Sequence, residues 1–184
     1  MKTRFVVANM ILAASLTLTG IVTGHEPEAS APSSTDQVKT PGQGMPVFVQ
    51  NIDPGATDAV TVVDAFSAGI KTVRLDRAKE LLDPQVLVLE SGGSERSRDE
   101  YMREHAAADA LFLQNVQQQM RYRQARIEGL MAWVGTESEL SFVKDGKSSL
   151  ILSTETMVLR KTAQGWKIVH IHWSSRPGNP EKVK

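Results

Sequence analysis

The hydrophobic period of this chain changes once along its length, and that change limits what it can fold into. Val60, Val63, Phe66, Ser67 and Ile70 recur at spacings of three and four, which predicts a helix from near Asp58, loosened at its end by Gly69. Asp76 is placed to cap a short second helix through Leu82, stopped by Asp83-Pro84. Val86 to Leu89 then reads as a buried strand, Gly92-Gly93 as a turn and Ser94 to Arg96 as a return strand. Ser97-Arg98-Asp99-Glu100 has the form of a capping box and opens a long third helix with the stripe Met102, Ala106, Ala110, Leu113 and Val116. From Tyr122 the period is that of strands: Arg126 to Val134, a continuation or bend through Gly135 to Val143, Leu150 to Arg160, and Trp166 to Ser174. Turns at Asp145-Gly146 and Gly165 make these strands antiparallel neighbours, because such short connections allow nothing else. The expected class is α+β, helices first and a large sheet last.

Composition excludes several classes of function. With 184 residues and 41% apolar residues the chain can bury a core. Its 21 basic residues are matched by 21 acidic ones without a dense Lys/Arg block, so the electrostatic footprint of a nucleic-acid binder is missing. The absence of Cys removes disulfides, thiolate metal sites, a Cys nucleophile and a lipid-modified Cys. Lys2 and Arg4 precede an uncharged, mostly apolar run from Phe5 to Val22, with small residues at Val22-Thr23-Gly24, so residues 1–24 read as an export signal and the remainder as periplasmic or secreted. No other contact with a membrane is expected. Residues 25–56 hold five of the eight prolines among Ser, Thr, Gly and Gln, the composition of a tether, with Val47 to Val49 as a short apolar run able to dock as an arm on a neighbour. One domain is expected over 57–176, followed by a polar tail over 177–184.

The order helix, helix, hairpin, long helix and long strands, closed by Gly165-Trp166-Lys167-Ile168-Val169-His170-Ile171-His172-Trp173-Ser174, resembles the nuclear transport factor 2-like (cystatin-like) superfamily. Ser153-Thr154-Glu155-Thr156 with the Trp-x-Ile-Val-His-x-His ending is similar to the association domain of calcium/calmodulin-dependent protein kinase II. Gly93-Ser94-Glu95 after an apolar strand is similar to the ketosteroid isomerases, and SnoaL-like and DUF4440-type proteins share both features. The resemblance implies a curved antiparallel sheet wrapped around the long helix, a conical pocket, and a homodimer through the sheet's outer face. The fold hosts isomerases, dehydratases, binding proteins and assembly domains, so it does not by itself choose among them.

Candidate chemistry is sparse. Glu90, at the end of the first strand, stands where the resemblance to ketosteroid isomerases implies a proton-shuttling carboxylate, and burial would raise its pKa toward neutrality. The Tyr of the first helix and the Asp of a late strand that those enzymes use are missing: the tyrosines are Tyr101 and Tyr122, and Met157 occupies the strand position. His105 and Asp109, four apart, are expected to meet on one helix face, with Asp109 inside the apolar stripe. His170 and His172, two apart on a strand, share a face about 6.6 Å apart, a spacing that admits one metal ion if His105, His25 or Glu155 completes the set. If Val169, Ile171 and Trp173 line the cone, the two histidines look outward. His25 as a free amino terminus would offer a copper chelate. The expected pocket wall is Phe66, Tyr101, His105, Asp109, Trp133, Glu155 and Trp173, while Arg121, Arg123 and Arg126 read as a solvated strand edge. No cofactor is expected. The function that follows is a small, largely apolar ligand held in a cone, or a dimerising module. The alternatives are an isomerase or dehydratase using Glu90 or His105/Asp109, and a His-based metal-binding protein.

Overall fold

A computed structural model describes residues 48–179. The expected signal segment, His25, most of the tether and the end of the polar tail lie outside the described residues. Strand β1 (Val49–Ile52) and a single 3-10 turn at Pro54–Ala56 lead into helices α1 (Thr57–Lys71) and α2 (Leu75–Leu81). Strands β2 (Leu82–Glu90) and β3 (Gly93–Glu95) form a hairpin; helices α3 (Arg98–Glu104) and α4 (Ala106–Leu113) follow. The long strands β4 (Gln117–Glu128), β5 (Met131–Lys144), β6 (Lys147–Thr162) and β7 (Gly165–Pro177) complete one curved, unclosed sheet in the order β1-β4-β5-β6-β7-β2-β3. The long neighbours pair antiparallel, whereas β2 joins β7, and β1 joins β4, in parallel.

The α1 stripe is buried as its period requires, with Val63, Phe66 and Ile70 all at 2% exposure or less. Gly69 does not loosen the helix; a Cβ there would stand 3.2 Å from the Ala78 backbone nitrogen, so the glycine lets α1 and α2 approach. The helical turn ends instead at Val73, whose φ is +58°. Asp83 does not stop α2 as a loop residue would. It lies within β2, where it accepts from the Gln85 amide at 2.9 Å and from Arg160 at 2.7 Å.

Three further expectations are corrected. The third helix is two helices, interrupted at His105, whose backbone (φ −123°, ψ −34°) leaves the helical region. Its N-terminus is capped by Ser97, whose hydroxyl accepts from the Glu100 amide at 3.1 Å, while the Glu100 carboxylate reaches back one residue further than in a standard box, to the Arg96 amide at 2.7 Å. Gly135 is no bend: it lies inside β5, opposite Gln124 and Thr156, and the turn falls at Gly129, whose φ of +57° suits a residue without a Cβ. Residues 49–56, composed like the tether, carry β1 and the 3-10 turn, so the segment beside Val47–Val49 pairs with its own chain's β4.

A bulge in β7 sorts the last strand. Ile168 pairs with Leu159 and His170 with Val158, leaving Val169 as the extra residue. Ile168, Ile171 and Trp173 therefore face the helices, while His170 and His172 face away. The core lies between the concave sheet face and the helices; the aligned residues Ala125, Val134, Met157, Ile171 and Val88, one from each of five adjacent strands, are all at 0% exposure.

Candidate functional site

Two residues further along the same strands, the concave face changes character. Glu90 aligns with Trp173, Trp173 with Glu155, Glu155 with Thr136 and Thr136 with Arg123, a row of mostly polar side chains crossing five strands. Side chains two apart on a strand point to the same face, so this row continues the inward surface of the apolar one. α1 and α4 stand off it and leave a cavity of about 300 Å³, with Phe66 and Ile70 from α1 and Phe112 and Leu113 from α4 supplying its apolar wall.

One end of the row is an acid cluster. The Tyr101 hydroxyl of α3 donates to Asp109 Oδ2 of α4 at 3.0 Å, and its ring packs between Phe66 and Trp173, with centroids 6.5 and 6.1 Å away. Burial raises the Asp109 pKa, opposed by that hydrogen bond and by His105. Burial and the Asp109 charge together raise the Tyr101 phenol well above its ordinary range, so it remains a donor. Glu90 lines the same space, and burial first, then repulsion by Asp109, push its pKa from the ordinary 4.5 to about 7. A carboxyl with that proton affinity exchanges a proton most readily near neutral pH.

Beside and beyond it the row is held by a polar lattice. Trp173 Nε1 donates to Glu155 Oε2 at 2.7 Å; burial raises the Glu155 pKa against this bond and the Arg123 charge. Arg123 donates to Asp64 Oδ1 at 2.6 Å and to Thr136 Oγ1 at 3.3 Å. It is 5% exposed, which corrects the solvated-edge reading: Arg123 is in phase with buried Ala125, and the guanidinium is paired inside. Arg121, at a β4 irregularity, pairs with Glu139, and Arg126 bonds the Asn51 carbonyl of β1 at 2.9 Å.

Phe66, Tyr101, Asp109, Glu155, Trp173 and Glu90 thus come together on the cavity wall, and His105 and Trp133 do not. Trp133 is 39% exposed on the outer face, because inward positions of β5 are the even-numbered ones around it. His105 does not bond Asp109; Tyr101 takes that carboxylate, and His105 Nδ1 instead contacts Glu95 Oε1. His170 Nδ1 is 2.9 Å from the Leu87 carbonyl and His172 is exposed, both on the outer face, whereas Glu155 points to the inner one. Among the described residues no group of three or more His, Cys, Asp or Glu side chains is placed to hold a metal ion. No described helix is long and apolar enough to cross a membrane. Asp64 has no signal in the sequence, and Glu95 enters there only as part of Gly93-Ser94-Glu95; its inward phase, opposite Val88 in the hairpin, is what marks it.

A curved sheet closed over by helices, with ionisable groups inside, defines the class, and the SnoaL-like domain matches residues 60–177. The chain belongs to the SnoaL-like family of nuclear transport factor 2-like proteins. A candidate ketosteroid isomerase from Shewanella frigidimarina is 31% identical, with a TM-score of 0.61, covering 67% of this chain and 99% of that one. A candidate calcium/calmodulin-dependent protein kinase II association domain from Xanthomonas campestris is 22% identical (TM-score 0.55, 69% and 91% covered). A nuclear transport factor 2-like protein with a cystatin-like fold from Novosphingobium aromaticivorans is 14% identical (TM-score 0.56, 68% and 84% covered). No curated protein matches.

Proposed function

We propose that this protein takes a small, largely apolar molecule bearing a carbonyl or hydroxyl oxygen into its cavity and moves a proton on it. Glu90 is the group that accepts and returns the proton, and the Tyr101 hydroxyl, turning its one hydrogen from Asp109 to the ligand, holds the ligand oxygen. The observation that carries this reading is the convergence of three oxygen acids from β2, α3 and α4 on one apolar-walled space. The likeness to the Shewanella protein supports it. The missing first-helix Tyr and late-strand Asp are no obstacle, since the Tyr101 hydroxyl, a donor from α3, reaches the same space. The test uses a generic carbon acid, 5-nitrobenzisoxazole, whose ring opens when a base removes its C3 proton. Native protein is expected to turn it over with a pH midpoint near 7, and Glu90→Gln to abolish turnover while the fold persists. Equal rates in the two proteins would overturn the proposal.

A second reading concerns the outer face, where Leu87, Met131 and Trp133 are each 38–40% exposed. We propose that a second copy of the chain covers this face, in keeping with the likeness to association domains. Trp133→Glu is expected to convert a dimer to a monomer in sedimentation velocity. Export is likewise proposed, from the Lys2 to Val22 pattern; recovery of a chain shortened at its amino terminus from the periplasm or medium of the host tests it.

A further inference from the structure

Glu95 is buried at 6% exposure and does not line the cavity. Its contact is with His105 Nδ1, and the His105 side chain is 42% exposed. A carboxylate removed from water without a compensating partner is expensive, so this imidazole accounts for Glu95 being tolerated where it is. Glu95 lies opposite Val88 in the β2–β3 hairpin, which makes Glu90 its diagonal neighbour on the same inward face, a separation of about 7–8 Å that long side chains bridge.

His105 is also built into the other half of the cluster through its backbone. Its amide donates to the Tyr101 carbonyl at 3.0 Å, and its carbonyl accepts from the Asp109 amide at 3.0 Å. The break between α3 and α4 is therefore the point at which Tyr101, Asp109 and the Glu95 contact are joined. The titratable groups acting on Glu90 are Asp109 from α4, His105 from the break and Glu95 from β3, with Tyr101 from α3 beside them; of these, His105 alone can carry positive charge, and the cations Lys71 of α1 and Arg123 of β4 line the same cavity.

We propose that His105, in contact with Glu95, is a positioning residue that sets the charge carried by Glu90. A protonated imidazole makes the Glu95–His105 pair neutral overall and favours the Glu90 carboxylate. An uncharged imidazole leaves the Glu95 charge unbalanced and holds the proton on Glu90. This rests on Glu90 being the proton-transferring group, and it gives solvent outside the cavity control over the base inside it.

The experiment is a pH titration of the full chain labelled with carbon-13 at glutamate Cδ, with the Glu90 signal assigned by its loss in Glu90→Gln. In His105→Gln the Glu90 midpoint is expected to move upward by roughly half a pH unit or more, and in His105→Lys, which keeps a cation there, to return toward the native value. An unchanged midpoint in His105→Gln overturns the proposal. So does an equal shift in His105→Lys, because the effect would then follow from shape and not charge. If His105→Gln fails to fold, the Lys variant titrated against native protein up to pH 9 decides: the proposal requires its Glu90 midpoint to stay at or below the native one, and a higher midpoint overturns it. A native Glu90 midpoint near 4.5 would sink the proton-transfer reading separately, while the comparison of variants still reports the coupling.

Discussion

The two faces of the sheet carry matching rows, three residues apart on every strand, with opposite chemistry. Inward run Arg123, Thr136, Glu155, Trp173 and Glu90; outward run Arg126, Trp133, Val158, His170 and Leu87. In an ordinary one-sided sheet the inward row is apolar and the outward row polar. Here the inward row is largely ionisable or hydrogen-bonding, and the outward row holds a half-exposed Trp and Leu. Local rules broken on both faces point to surfaces shaped by what they meet and not by stability.

The sharpest way to break the comparison is to truncate one tryptophan from each row. Trp173→Ala loses ring contact with Tyr101 and leaves partly buried Glu155 without its donor, and is expected to cost about 3 kcal/mol or more in urea denaturation. Next in size, Tyr101→Phe keeps the ring but strips Asp109 of its hydrogen bond, for a loss of about 1–3 kcal/mol. Glu90→Gln should act in the other direction. The folded state binds the Glu90 proton more tightly than the unfolded state, so native stability falls as pH rises from 4.5 to about 7 and the penalty is fully present above that. Gln escapes it. The variant is expected to be more stable than native at pH 8, on the order of 1 kcal/mol after allowance for solvent screening, and the difference to vanish below pH 4.5. The smallest effect belongs to the outer row: Trp133→Ala should change stability at dilute, monomeric concentration by no more than about 0.5 kcal/mol. A loss there as large as that of Trp173→Ala would abolish the distinction between the faces.

Much of the inward face was legible because a strand's alternation states which residues share a side. Glu155 and Trp173 could be placed on it, and Asp109 was conspicuous as a carboxylate in an apolar helical stripe. Arg123 was misread because three arginines at 121, 123 and 126 look like one basic edge, although the β4 irregularity near Arg121 and the partner Asp64, 59 residues away, separate their fates. The break at His105 had no local sign. Residues 98–113 contain neither Gly nor Pro, and the helical period runs through the break unaltered. What distinguishes His105 is a contact with Glu95 on another element, and only the folded chain brings that about. The Val169 bulge was equally silent, being set by pairing with β6 and not by its own residues.

The sheet's margins carry a last consequence. Its four long strands are all interior, while the outermost ribbons are β1 and β3, four and three residues long. β1 covers only Tyr122–Ala125 of β4 and β3 only Val88–Glu90 of β2, so an extended segment from another chain would have to begin on the uncovered lengths of those two strands.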